Sequence, residues 1–215
     1  MINEKTHNKK HYVFVGIAAF SMLVLSFVYI LIPRGKPVVL HDPDVLLKVV
    51  KDGDIICRLG DRFWSGLFRD VSEVDRRYSH IGIICINGAR VTVIHAEGTT
   101  ETGKDFVKEE KLEDFIKIAR TIGIYRVNNI DGFQISNLAI KYLGVPFDWQ
   151  FDMHDDSKLY CTELLYVILK QVMPELKLST VYIKEIDKEI IPLEAVSNSE
   201  YFTEIFFSTT TQNGK

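Results

Sequence analysis

The stretch His80-Ile81-Gly82-Ile83-Ile84-Cys85-Ile86, then Asn87-Gly88, then Ala89-Arg90-Val91-Thr92-Val93-Ile94-His95-Ala96-Glu97, decides the fold. Both runs are rich in β-branched residues, and Asn-Gly between two such runs is the strongest short-range signal for a β-hairpin. A two-residue turn on Asn87-Gly88 makes Ile86 face Ala89 and sets His80 directly across from His95. Directly opposed residues hold their Cβ atoms about 4.5–5.5 Å apart on one face, within reach of one imidazole on another. Side chains alternate with period two, so Glu97 shares that face one diagonal step away. A three-residue turn would swing His95 to the other face, so the pairing depends on the turn. A base whose second ring nitrogen is held by another polar group is half of a nucleophile–base–orienter triad. Against this stands the plainer reading of two surface histidines with no chemistry.

Outward from the hairpin, Asp54 to Leu59 follows a Lys-Asp-Gly turn and reads as a strand, and Phe63, Trp64, Leu67, Phe68 and Val71 recur at helical spacing. Ile122 to Val127 predicts a further strand, and Gly132 to Leu143 a helix ended by Gly144 and Pro146. Positions 161, 164, 165, 168, 169 and 172 are apolar and trace one face of a helix over Cys161 to Val172, closed by Pro174. Strands around a hairpin with helices at both ends predict an α+β domain, an antiparallel sheet with packed helices.

Cys161 opens that last helix. Unpaired N–H groups and the dipole at a helix N-terminus favour a thiolate and can receive an oxyanion. An inert, buried cysteine is the alternative from position alone. Cys57 and Cys85 sit in apolar strand-like runs and read as small core residues.

Asp52-Gly53-Asp54-Ile55-Ile56, Tyr78-Ser79-His80-Ile81-Gly82-Ile83, Gly144-Val145-Pro146-Phe147-Asp148 and Leu159-Tyr160-Cys161-Thr162-Glu163-Leu164 resemble permuted NlpC-type papain-like cysteine hydrolases, above all the YiiX/YebB-like group. The resemblance covers most of residues 50 to 208 and implies a permuted papain-like fold, with the histidine strand preceding the cysteine helix. It carries the nucleophile to Cys161, the base to His80 and the third polar residue to His95, where that group often has Glu followed by Ala. Relatives of the lecithin-retinol acyltransferase type are known for a second histidine there, and Glu97 stands in reserve. Thiol-dependent attack on an amide or ester carbonyl follows, with peptide, cell-wall or lipid-like substrates. Acyl transfer to a lipid or amine is the alternative outcome, and a catalytically silent cell-envelope binding module the alternative of a different class. Tyr160 either donates to an oxyanion or packs. Trp149, Phe151 and Trp64 are candidates to line an apolar substrate groove, although such residues are more often core.

Upstream, Val13 to Ile32 is a run of 20 residues without a charge, the length a helix needs to cross a bilayer core, and it exceeds a signal-peptide core. The chain thus divides into a polar segment 1–12, an anchor 13–32, a Pro-containing linker 33–43, a hydrolase domain 44–207 and a polar tail 208–215. Lys5, Lys9 and Lys10 before the anchor are answered by Arg34 and Lys36, and the domain is expected outside the cytoplasm. A net charge of -3 without a basic stripe argues against a nucleic-acid partner. No metal or other cofactor is expected. The cysteines lack paired spacing for zinc, and Asp152 to Glu163 has Ser157 where a calcium loop needs its turn glycine.

Overall fold

The computed structural model describes residues 41–60, 69–70, 72–98, 105–184, 186–197 and 199–210. The expected anchor, Trp64, most of the helix expected around it and the end of the tail lie outside these residues. Among the described residues no helix is long and apolar enough to cross a membrane.

The domain is α+β. Strands β1 (Ile55–Leu59), β2 (His80–Asn87), β3 (Arg90–Glu97), β4 (Phe106–Lys111), β5 (Thr121–Val127) and β8 (Phe202–Thr209) form one antiparallel sheet in the order β4-β3-β2-β1-β5-β8. Strands β6 (Val181–Ile183) and β7 (Lys188–Ile190) pair separately. Strand β8 continues to Thr209, past the expected domain end at Phe207, because Ser208 and Thr209 pair with Ile122 and Thr121.

Each face of the sheet buries a different apolar set, as period-two alternation requires. On one face Ile55, Cys57, Ile81, Ile83, Ile94 and Ala96 meet helix α3 (Gly132–Ile140) and helix α4 (Cys161–Val172). Helix α4 contributes Leu164, Leu165, Ile168 and Leu169, all buried, each worth about 1.5–3 kcal/mol of transfer free energy. On the other face Ile56, Ile84, Val93, Ile122 and Ile124 meet Leu46 of α1 (Pro43–Leu46) and Leu112, Phe115 and Ile116 of α2 (Leu112–Ile116). The short helix α5 (Glu194–Ser197) precedes β8. The helix expected over Gly132 to Leu143 stops at Ile140, and the chain turns through Gly144 at φ 87°.

The hairpin forms, but in another register. Asn87 pairs with Arg90 and Ile86 with Val91, so the turn residues are Gly88 and Ala89 rather than Asn87 and Gly88. Gly88 adopts φ 60° at the first central position, the II′ pattern, which leaves Asn87 in the strand. The expectation that His80 lies directly opposite His95 is therefore corrected: the two are offset diagonally. The slip moves the pairing by two residues, an even number, so both rings stay on one face.

The ladder between β2 and β3 ends at Ile83↔Ile94. Beyond it β2 continues with β1 through Arg58↔His80, and β3 with β4 through Glu97↔Phe106. The Ile84 N–H donates to Asp54 on the β1 side, so by alternation the Ile81 N–H faces the side of β3.

Candidate active site

The histidine pair sits at the end of the sheet where β2 and β3 part. His80 Nε2 is 2.8 Å from His95 Nδ1, with ring centroids 4.9 Å apart at 82°. Phe115 of α2 lies against both rings, stacked on His80 at 5.8 Å and edge-on to His95 at 5.2 Å. His95 is fully buried, and burial and the nearby Arg58 lower its pKa against the pull of Glu110 and Glu97, so the ring is neutral at neutral pH.

Behind His95 lies a set of charges from three strands. His95 Nε2 is 3.2 Å from Glu110 Oε1, ion-pair distance without the alignment of a good hydrogen bond. Arg58 reaches Glu97 at 3.0 Å, Glu110 at 3.5 Å and the Phe115 carbonyl at 2.7 Å, with its guanidinium 4.0 Å above the Phe115 ring. Lys108 pairs with the second oxygen of Glu97. Burial alone would raise the Glu110 carboxyl, but His95, Arg58 and Lys108 draw it down to about 2. Glu97 is likewise held below the ordinary range, with Lys108 the strongest of the groups that oppose its burial.

Cys161 approaches from the face of α4. Its thiol is acted on by the backbone N–H groups of Thr162, Ile81 and Cys161 itself, and Ile81 is the residue next to His80. The thiol thus belongs to the face opposite the imidazoles and reaches the strand end that carries His80, where the β3 ladder leaves the Ile81 N–H over. The start of α4 is held in place locally: Glu163 accepts from the Tyr160 N–H at 3.3 Å, Thr162 donates to the Ile191 carbonyl at 2.7 Å, and the Ile191 N–H donates to the Tyr160 hydroxyl at 3.1 Å. Burial opposes the acidic thiol expected at a helix start. Cys161 is 5% exposed, and burial outweighs the N–H groups and Arg58, pushing the thiol up to about 11.

The structure brings together Cys161, the strand end that carries His80, and His95. It puts Glu97 in the same cluster, engaged with Arg58 and Lys108. The buried Tyr160 hydroxyl is used in tying α4 to Ile191, and its ring packs on Phe151 at 5.4 Å. Phe151 adopts φ 51°, a strained conformation for an aromatic residue. Trp149 is 41% exposed, packs on Phe147 at 4.9 Å and hydrogen-bonds Asp105. The Asp52-Gly53-Asp54 motif is structural: Asp54 pairs with Arg126 at 2.7 Å, while Asp52 accepts from the Ile86 N–H and the Ser136 hydroxyl.

Arg58, Lys108, Glu110 and Phe115 went unread in the sequence. Arg58 alone carried a signal, a cation inside an otherwise apolar strand. No short motif marks Glu110, since it lies on the next strand, well beyond His95 along the chain.

Residues 49–190 match the model of a family described as permuted papain-like amidase enzyme, YaeF/YiiX, C92 family. The uncharacterized protein YiiX of Escherichia coli (strain K12) is 27% identical over 128 residues, 56% of this chain. The match spans 58% of that relative's length. A crystal structure of the metalloprotein yiiX from Escherichia coli O157:H7 superposes with a TM-score of 0.62 at 19% identity, covering 75% of this chain and 99% of that one. At that identity the likeness is one of fold. Among the described residues of this chain, no three His, Cys, Asp or Glu side chains come together as a ligand set for a metal ion.

Proposed function

The chain belongs to the permuted papain-like amidase family of the YaeF/YiiX type and is in general kind a cysteine hydrolase, and from that premise we propose that Cys161 is its nucleophile, His80 the general base and His95 the residue that orients the base. The carrying observation is the 2.8 Å contact between His80 and His95 beside the Ile81 N–H that acts on the Cys161 thiol. In this mechanism His80 takes the thiol proton as sulfur attacks an amide or ester carbonyl, and then returns it to the departing amine or alcohol. The acyl-enzyme is released by water, and the Cys161 N–H at the start of α4 is available to the oxyanion. A thiol near 11 suits concerted proton transfer to the imidazole rather than a preformed thiolate.

Substrates of peptide, cell-wall or lipid-like type suit the aromatic strip of Phe147, Trp149 and Phe151 that leads to Tyr160 and the nucleophile. The uncharged run 13–32 supports a single-pass anchor, and Lys5, Lys9 and Lys10 before it against Arg34 and Lys36 after it favour the hydrolase domain outside the cytoplasm. The buried, unacidified thiol is the one observation that favours a silent binding module instead.

Hydrolysis of a panel of chromogenic amides and esters, alongside iodoacetamide labelling, separates these readings. Cys161→Ala is expected to lose both turnover and the labelled site, and His80→Ala to lose turnover with the thiol still present. Wild-type hydrolysis by Cys161→Ala would dispose of the mechanism.

A further inference from the structure

Glu110 lies on β4, the edge strand, with its side chain on the face that carries the histidines. An ionised carboxylate is acceptor-only, so the charged oxygen 3.2 Å from His95 Nε2 favours the proton on that nitrogen over a lone pair facing the charge, even without good hydrogen-bond alignment. A neutral imidazole has one N–H. His95 Nδ1 is therefore an acceptor, and the 2.8 Å contact with His80 Nε2 is donated by His80. That leaves Nδ1 as the basic nitrogen of His80.

Glu97 does not compete for this role, since one of its oxygens is taken by Arg58 at 3.0 Å and the other by Lys108. Arg58 and Lys108 also touch Glu110, at 3.5 and 3.7 Å, so two cations balance two carboxylates around a buried neutral ring. The groups that face His95 are Arg58 from β1, His80 from β2, Glu97 from β3, Lys108 and Glu110 from β4, and the Phe115 ring from α2.

We infer that Glu110 is a positioning residue of the hydrolase: through His95 it fixes the tautomer of His80, so that Nδ1 accepts the proton of the Cys161 thiol and the resulting imidazolium is stabilised by a carboxylate one ring away. The inference rests on the reading of Cys161 and His80 as nucleophile and base. When His80 gains its second proton, the His95 acceptor and the Glu110 charge behind it favour the cation, as the outer carboxylates of other histidine sites do.

The test is the acylation rate with p-nitrophenyl acetate, followed against pH, for the full chain and its Glu110→Gln, Glu110→Ala, Glu97→Gln and Cys161→Ala variants. Loss of the Glu110 carboxylate is expected to slow acylation about 10- to 100-fold. Glu110→Gln should retain more rate than Glu110→Ala, because its amide oxygen keeps an acceptor dipole beside His95 Nε2. With the negative charge gone, protonation of the histidine pair is less favourable, so the acid limb moves to lower pH in both variants. Glu97→Gln should move the limb less than Glu110→Gln does. A Glu110→Gln rate and limb equal to wild type, with Cys161→Ala inactive, would overturn the inference and leave the hydrolase reading standing. A slower rate with an unmoved limb would reduce Glu110 to a structural part and also overturn it. Wild-type acylation by Cys161→Ala would remove the premise, and the inference with it. Should Glu110→Ala fail to fold, the isosteric Glu110→Gln decides.

Discussion

At the scale of the residue, the meeting of two imidazoles depends on a missing side chain between them. A Cβ on Gly82 would lie 2.4 Å from Val93 Cγ1 and 3.1 Å from His95 Cβ. Gly82 shares the face of His80, so its bareness lets His95 cross the diagonal that the shifted hairpin imposes. Gly82→Ala is expected to destabilise the domain by about 1–3 kcal/mol through overpacking. It should also slow turnover on the order of 100-fold, the effect of a misplacement of about 1 Å in a catalytic group. Urea unfolding and hydrolysis rates of the variant measure the two effects, and a variant matching wild type in both would show that the ring pair does not need this gap. That the two rings share a face was legible from the alternation of the two strands, whereas their direct opposition was not, because the register is shifted by two residues. Glu110 was not, because the contact that gives it meaning spans the β3–β4 pairing.

At the scale of the element, helix α4 presents the thiol at its first turn and carries a liability two residues on. Glu163 is 1% exposed, its Oε1 has no hydrogen-bond partner among the described residues, and burial with Asp148, Asp156 and Asp152 nearby raises its carboxyl to about 8. The folded state therefore keeps a proton that the unfolded chain, with its ordinary value of 4.5, releases earlier. Between those two values the folded state binds more protons, so this group's contribution to stability falls as pH rises from 4.5 to about 8. Glu163→Gln removes that decline while keeping an acceptor for the Tyr160 N–H. Its urea midpoint should exceed that of wild type at pH 8.5 and approach it near pH 4. Equal midpoints at both pH values would mean that Glu163 ionises freely in the fold. The 161–172 helix was read to the residue, since apolar spacing and Pro174 bound it locally. Strand β4 escaped notice because Phe106 to Lys111 alternates weakly at a charged sheet edge.

At the scale of the whole molecule, the apolar run 13–32 and the hydrolase fold make separate demands on the chain. With that run as an anchor, the full chain is expected to stay with the membrane pellet through alkaline carbonate extraction, and release into the supernatant would argue against it. By itself the sequence determined the α+β class, the hairpin and the helix over Cys161 to Val172, which follow from local periodicity and turn chemistry, and by motif it put forward His80, His95 and Cys161 as candidates. Only the tertiary structure decided the hairpin register, where a glycine at the first turn position outweighed the Asn-Gly signal. It alone decided that the thiol and the imidazoles come from opposite faces, that burial leaves Cys161 near 11, and that Glu110 stands behind His95. The physical reason is common to all of these. Register, desolvation and charge pairing are energies of contact between segments far apart in the chain, and spacing along one segment carries no record of them.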